Sequence, residues 1–176
     1  PWNALSLHKA AARSYQALHN AGATLTWALN NHDAHRVVTR YGRADAHLMS
    51  SWTGSNLVNS DAPVDLELGH RRARAAALLI LGLPGAAYLY MGEELGLPEV
   101  LDIPDSARQD PIFARTEGRE KGRDGCRVPM PWTCGSANLN GFSSSTSLQA
   151  WMPQPAGWGE MSVEVQEQLG DSMLHL

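Results

Sequence analysis

Apolar positions first recur at helical spacing and then gather into a short run. Leu5, Ala11 and Leu18 follow the helical spacing, which predicts a helix over Ala4–Asn20. Residues 24–30 are β-branched, aromatic and almost continuously apolar, which predicts a short strand. A nearly continuous apolar strand after a helix is typical of a buried parallel strand.

The same order of helix and strand follows once more. Residues 39–61 are polar and irregular and predict a loop that can hold a broken helix. Residues 65–81 predict a second helix with Asp65 as its N-cap, and residues 86–91 predict a second strand. Both strands run directly into polar residues. This pattern predicts an α/β protein whose site lies outside the carboxyl ends of parallel strands.

The second half of the chain has weaker periodicity. Residues 98–131 are rich in proline, aspartate and arginine, and so long a loop is uncommon unless it is functional. Residues 141–146 are serine-rich and predict a turn. Residues 162–174 predict a closing helix.

Composition narrows the function classes. The chain has 176 residues, of which 43% are hydrophobic, and a net charge of −4, so one globular domain is expected by length. No apolar run reaches the roughly 18 residues of a membrane span, and the acidic balance argues against a nucleic-acid binder. Cys126 and Cys134 are too few for a disulfide scaffold. A chain that begins at Pro1 without methionine or signal segment is expected to be a piece of a longer protein.

The polar residues after the first strand are the sharpest candidates for chemistry. His32 and Asp33 place an imidazole beside a carboxylate, which can stabilise positive charge or orient a substrate hydroxyl. A loop or helix-cap network is the alternative. With His35 they could form a metal site, but their spacing is not the helical i, i+4 of paired ligands. We therefore expect no metal and no cofactor.

Charged residues elsewhere are weaker candidates for a catalytic role. Arg36 and Arg40 are expected to be solvated or paired with loop carboxylates. Glu93 and Glu94 are adjacent, so on a strand they point to opposite faces and cannot form an acid/base pair.

Residues of the proline-rich loop and several tryptophans could bind a ligand. Arg123 could grip a hydroxyl-rich ligand or a facing carboxylate, and the alternative is an ion pair with Asp124. Trp132, Trp151 and Trp158 could stack on sugar faces, although packing of loops onto a core is the commoner role of tryptophan.

Three segments together resemble one enzyme family. The sequence WALNNHD at residues 27–33 resembles the strand-seven motif of the α-amylase superfamily, glycoside hydrolase family 13. Residues 88–96, YLYMGEELG, resemble its strand-eight segment. Residues 123–132, RDGCRVPMPW, resemble a loop of its α-glucosidase and oligo-1,6-glucosidase branch. The motifs occur in the family's order and the resemblance covers nearly the whole chain.

The resemblance implies a (β/α)8 TIM barrel and a retaining enzyme that acts on α-glucosidic bonds. It implies that Asp33 stabilises the transition state and that His32 hydrogen-bonds the same sugar. It implies that Arg123 recognises the non-reducing terminal glucose with help from an aspartate of an early barrel loop. Glu93 and Glu94 match a supporting segment and receive no catalytic role.

The resemblance also implies that part of the machinery lies outside this chain. We expect residues 1–150 to be a partial barrel, about strands seven and eight with flanking helices, and residues 151–176 to end the barrel or begin a link to a C-terminal β domain. Retaining hydrolysis needs a nucleophile and an acid/base carboxylate about 5 Å apart, which the family carries on strands four and five. No Asp or Glu precedes Trp27. We therefore expect this chain alone to be inactive, poorly stable and dependent on a missing N-terminal barrel segment.

The expected function is to form part of an enzyme that releases glucose from α-glucosides or malto- and isomalto-oligosaccharides. The alternatives are a non-catalytic truncated fragment, a subunit of a split enzyme, or part of a trehalose synthase or transglycosylase of the same family. No nucleic acid or membrane is an expected partner, and the expected location is cytoplasmic.

Overall fold

A computed structural model describes residues 2–44, 62–135 and 137–176. The helices and strands follow the predicted order up to the second strand. They are α1 Ala4–Asn20, β1 Thr26–Ala28, α2 Val37–Gly42, α3 Leu66–Gly82, β2 Ala86–Tyr88, α4 Pro111–Arg115 and α5 Val163–Gln166. Short 3₁₀ turns cover Asp105–Ala107, Asp124–Arg127 and Trp158–Met161.

A side-chain cap starts each of the two long helices. The side chain of Asn3 caps α1, and Gly22 follows its end with a positive φ of 68°. The carboxylate of Asp65 accepts the Leu68 N–H at 2.9 Å and so starts α3, as predicted. Gly69 of α3 lies against the carbonyl of Val38, where any Cβ would collide. This close approach packs α3 directly onto α2.

The two strands are parallel, as predicted, but shorter and more exposed than their sequence suggests. Trp27 of β1 lies opposite Ala87 of β2. Thr26 and Ala28 of β1 are exposed and Trp27 is half-buried, so the prediction that the first strand is buried is wrong. Tyr88 of β2 is 64% exposed as well. The physical reason is that a buried parallel sheet needs cover on both faces, whereas the described residues form a sheet of two strands.

The main core lies under the second half of the chain. It is formed by Leu95, Leu97, Val100, Ile103, Val128, Met130, Met152 and Trp158. The proline-rich stretch predicted as a loop is thus packed against a core, and it contains α4 and two of the 3₁₀ turns. The buried side chains of this stretch, among them Val100, Ile103, Val128 and Met130, are therefore held in fixed positions.

Two predicted elements differ in extent. Residues 39–42 of the predicted loop instead belong to α2, whose Val37 and Val38 pack with Ala73 of α3. Residues 45–61 of that loop lie outside the described residues. The predicted closing helix 162–174 is reduced to α5. Beyond it the chain turns around the amide of Gln166, which donates to the carbonyl of Leu95 at 2.8 Å. No helix in the described ranges is long and apolar enough to cross a bilayer.

Candidate active site

The turn after β1 presents His32 and Asp33 to solvent. The side chain of Asn31 accepts the Asp33 N–H at 2.8 Å and fixes this turn. The Asp33 side chain is 40% exposed and that of His32 is 70% exposed, and His32 Nε2 lies 3.4 Å from Asp33 Oδ2. Both predicted residues are therefore adjacent, open and able to contact a ligand.

Arg123 joins Asp33 to a buried carboxylate. Its Nη1 donates to Asp33 Oδ1 at 2.7 Å, while Nε and Nη2 grip Asp110 at 2.5 and 3.0 Å. This forked contact is the strong bidentate geometry of arginine and carboxylate. The predicted alternative of an ion pair between Arg123 and Asp124 is wrong, because Asp124 instead accepts the N–H groups of Gln109 and Asp110.

Asp110 is held as an anion. Its side chain is fully shielded from solvent. The hydrogen bonds from the Arg123 guanidinium hold the pKa of the Asp110 carboxyl well below its usual range, and in return they raise the pKa of Arg123. The pair therefore keeps both charges at neutral pH. It also fixes the orientation of the guanidinium, so that Nη1 of Arg123 points toward Asp33.

Arg127 is a second cation on Asp33 that the sequence analysis did not single out. Its Nη2 donates to Asp33 Oδ1 at 3.0 Å and its Nε to the carbonyl of His32 at 2.9 Å. Arg123 immediately precedes the 3₁₀ turn Asp124–Arg127 and Arg127 is its last residue, and both side chains contact Asp33. Their spacing is visible in the sequence, but Asp110 carried no signal that linked it to Arg123.

A buried thiol ties the same turn to the loop after β1. The Cys126 thiol is within hydrogen-bond distance of two carbonyl oxygens and can donate to either. Its Sγ lies 3.3 Å from the carbonyl oxygen of His32 and 3.1 Å from that of Arg123. Burial raises the pKa of the Cys126 thiol to about 12, so it stays protonated and able to donate.

Arg36 connects three segments beneath this surface. Its guanidinium donates to the carbonyl of Met91 at 2.7 Å and to those of Cys126 and Val128 at 3.0 and 3.3 Å, and it lies 5.5 Å from the Trp158 ring. Arg36 was expected to be solvated or paired with loop carboxylates; it is not solvated, because it is 2% exposed, and the hydrogen bonds of its guanidinium named above go to backbone carbonyls. It stabilises the relative positions of the loop after β1, the turn after β2 and the arginine-bearing turn.

Glu99 is a buried acid that sequence reasoning missed. One oxygen accepts the backbone N–H of Arg36 at 2.8 Å. Burial raises the pKa of the Glu99 carboxyl to about 7, against the opposing effect of that hydrogen bond and of the Arg36 charge. Glu99 thus supports the backbone three residues after Asp33.

Glu93 and Glu94 lie in the turn after β2 and not on the strand assumed for them. Glu93 is buried and accepts the Tyr90 N–H at 2.9 Å. Burial raises the pKa of its carboxyl. Its contact holds the turn that carries Met91.

The three tryptophans considered for sugar stacking have different environments. Trp158 is buried in the core under Arg36, whereas Trp132 is 49% and Trp151 is 69% exposed. Two of the three therefore offer a ring to a ligand. Among the described residues no three His, Cys, Asp or Glu side chains are placed to hold a metal ion.

Comparison with known proteins shows the family to which this chain belongs. A family model described as the alpha amylase catalytic domain matches residues 1–176, the whole chain. The chain belongs to the α-amylase family. A probable alpha-glucosidase of Rhizobium meliloti (strain 1021) is 35% identical over 150 residues, which are 85% of this chain and 22% of that protein. The oligo-1,6-glucosidase of Parageobacillus thermoglucosidasius is 26% identical over 192 residues, 99% of this chain and 29% of its own length.

Solved structures of the α-amylase family agree in fold. The crystal structure of the alpha-glucosyl transfer enzyme XgtA superposes with a TM-score of 0.62 and 32% identity, over 93% of this chain and 26% of that one. Such relatives are TIM-barrel enzymes. The chain spans less than a third of the length of each of these proteins.

Proposed function

We propose that this chain forms one side of the glucose-binding subsite of an α-glucosidase-type glycoside hydrolase. The observation that carries the proposal is the array of Asp33, Arg123 and Asp110 at the carboxyl end of β1. Active sites of β/α barrels lie at this end of the strands. Membership in the α-amylase family and the names of the relatives support the substrate class, an α-glucoside or a malto- or isomalto-oligosaccharide.

Each residue has a role that its environment supports. The half-exposed Asp33 carboxylate would accept hydrogen bonds from sugar hydroxyls and stabilise positive charge at the anomeric carbon. His32 would hydrogen-bond the same sugar. Arg123, held by Asp110, would donate to the terminal glucose. The family resemblance implies that an aspartate of an early barrel loop helps this arginine. Asp110 would take that part within this chain, since it already binds Arg123.

The bond-breaking carboxylates are proposed to lie in sequence outside this chain. Retaining hydrolysis needs two carboxylates about 5 Å apart on either side of the bond. Asp110 is shielded and bound to Arg123, so it is unsuited to attack. Residues 1–150 would supply the region of barrel strands seven and eight, and residues 151–176 the barrel's end or a link to a β domain.

A transfer reaction is the second candidate. The 32% identical XgtA is named an alpha-glucosyl transfer enzyme, and the same subsite would serve hydrolysis or transfer, since both proceed from the same glucosyl intermediate. In a split enzyme a second chain would complete the same subsite, whereas in an inactive fragment nothing would complete it.

The first experiment is an assay of the purified 176-residue chain on p-nitrophenyl α-glucoside. We expect no release of p-nitrophenol above that of the buffer, because the nucleophile and the acid are absent. Turnover that persists after repurification and is lost in Asp33→Asn would contradict the proposed location of the two carboxylates.

A further inference from the structure

A groove separate from the Asp33 cluster is the strongest unassigned feature of the molecule. It encloses about 550 Å³ and is walled by the segments around Leu139, Leu148 and Trp151, with Ala107 from the first 3₁₀ turn. Ligand pockets in proteins typically range from about 300 to 1,000 Å³. The groove is therefore large enough for a small ligand.

Its lining combines an aromatic platform with amides. Trp151 is 69% exposed at the wall, and the polar groups are the side-chain amides of Asn140, Gln149 and Gln154. None of the described residues that line the groove has an ionisable side chain. A charged ligand would find no opposite charge here, so the lining favours a neutral ligand with both an apolar face and hydroxyl groups.

The wall is held rigidly. Met152, next to Trp151, is fully buried in the main core. Asn138, Leu139 and Asn140 all adopt left-handed φ values, between 50° and 57°. Such residues cost roughly 1 kcal/mol or more each and persist where surrounding contacts impose them. Here the Asn140 carbonyl accepts the N–H of Trp132 at 2.7 Å. A preformed site loses little conformational entropy on binding.

The amides keep hydrogen-bonding capacity for a ligand. Asn140 Nδ2 donates to Gln154 Oε1 at 3.0 Å, and Gln154 Nε2 donates to the carbonyl of Pro129 at 3.0 Å. Each amide has two N–H groups and two acceptor lone pairs, so further sites remain on both. The second bond also ties the groove to the segment that carries Arg127.

We propose that the Trp151 groove binds a glucosyl unit of an oligosaccharide, with the sugar's apolar face on the indole and its hydroxyls on the amides. The choice of glucosyl units rests on the proposed function. None of Asp33, His32 and Arg123 lines the groove, so it would act as a second saccharide site.

The test is a titration of the full 176-residue chain with maltotriose, followed by the indole N–H signals of its six tryptophans in NMR. Loss of one signal in Trp151→Phe assigns the Trp151 resonance. We expect this resonance to shift saturably while that of Trp132 stays in place. Binding at the groove is then measured through the NMR signal of a labelled Gln154 side-chain amide. By this measure Trp151→Ala should weaken the affinity for maltotriose about tenfold, equivalent to about 1.4 kcal/mol. Trp132→Ala is the matched exposed control and should leave it unchanged.

Asp33→Asn separates this proposal from the proposed function. The Trp151 shift should persist in that variant, whereas any shift of the His32 ring signals should be lost. A shift at Trp151 with none at His32 supports the groove and counts against the proposed function. A Trp151 resonance that does not move, or unchanged affinity in Trp151→Ala, overturns the groove proposal.

Discussion

The polar cluster beyond the carboxyl end of β1 and the apolar surface of the strands differ in how many of their contacts this chain supplies. At the carboxyl end, Asp33 meets two arginines, and one of these is locked onto the shielded Asp110. Along the strands and the helix beside them, Tyr88 and Leu81 are 64% and 53% exposed. The chain therefore organises its polar cluster internally but leaves apolar surface around its strands uncovered.

This difference separates the chemistry of the site from the stability of the scaffold. The loops that carry Asp33 and Arg123 are held by hydrogen bonds within the chain, and these contacts need no further strand. The exposed apolar groups cost free energy in water and would gain from burial. Substitutions at the polar end should therefore be costly, and those on the exposed strand face should be cheap.

The largest effect on stability is expected from Asp110→Asn. The substitution weakens the charge-assisted hydrogen bonds that the shielded Asp110 carboxylate accepts from the Arg123 guanidinium, although Arg123 keeps its contact with Asp33. The cost should be about 3 kcal/mol of unfolding free energy. Urea denaturation followed by circular dichroism measures it. The control is Asp105→Asn, an exposed aspartate of the same segment, for which we expect no measurable change. Equal losses in both variants would remove the distinction between shielded and exposed ion pairs.

Arg36→Lys should rank next, at about 2–3 kcal/mol. A lysine has no planar fork and would leave at least one of the three carbonyls now bound by Arg36 unsatisfied. Arg71→Lys is the matched control on the exposed face of α3, where the side chain is 66% exposed beside Glu67. If Arg36→Lys unfolds at the same urea concentration as wild type, Arg36 does not hold the three segments together.

Glu99 should make stability depend on pH. Its folded pKa of about 7 lies above that of an unfolded glutamate, so the folded state binds more protons and stability falls as pH rises between about 5 and 7. Relative to Glu99→Gln, wild type should lose about 2 kcal/mol over this range. Thermal unfolding of both proteins at matched pH values measures the difference. Parallel pH profiles would show that Glu99 titrates normally.

The smallest effect is expected from Tyr88→Thr on the exposed face of β2. The side chain makes little contact at 64% exposure, and threonine retains β-propensity, so the change should stay under about 0.5 kcal/mol. A loss of several times this value would mean that the strand face is covered in solution, and it would contradict the contrast between the polar cluster and the exposed strand surface.

Local signals in the sequence predicted the helices well and the packed segments poorly. The caps Asn3 and Asp65 and the positive-φ residue Gly22 act over a few residues, which is why α1 has its predicted bounds and α3 lies within one residue of them. The first strand was predicted as buried because a continuous apolar run is typical of a strand inside a complete sheet. The region 98–131 looked like a loop because its order comes from distant contacts such as Arg36 with Val128.

The sequence pointed to only some residues of the candidate site, because motifs are local whereas buried pairs join distant positions. His32, Asp33 and Arg123 stand in motifs with a family resemblance, and the structure brings Asp33 and Arg123 into contact. Asp110 and Glu99 stand in no such motif. Their importance arises from burial and from pairing across 13 and 63 residues, which no local pattern encodes.

A chimera tests the central claim most directly. This chain would replace the matching segment of the oligo-1,6-glucosidase of Parageobacillus thermoglucosidasius, whose match covers 99% of the chain, and hydrolysis of p-nitrophenyl α-glucoside would be measured. We predict turnover that Asp33→Asn lowers by at least about 10²-fold in kcat without loss of folding, as expected for a group that stabilises transition-state charge. Asp105→Asn should leave the rate unchanged. An active chimera in which Asp33→Asn retains full kcat would contradict the account.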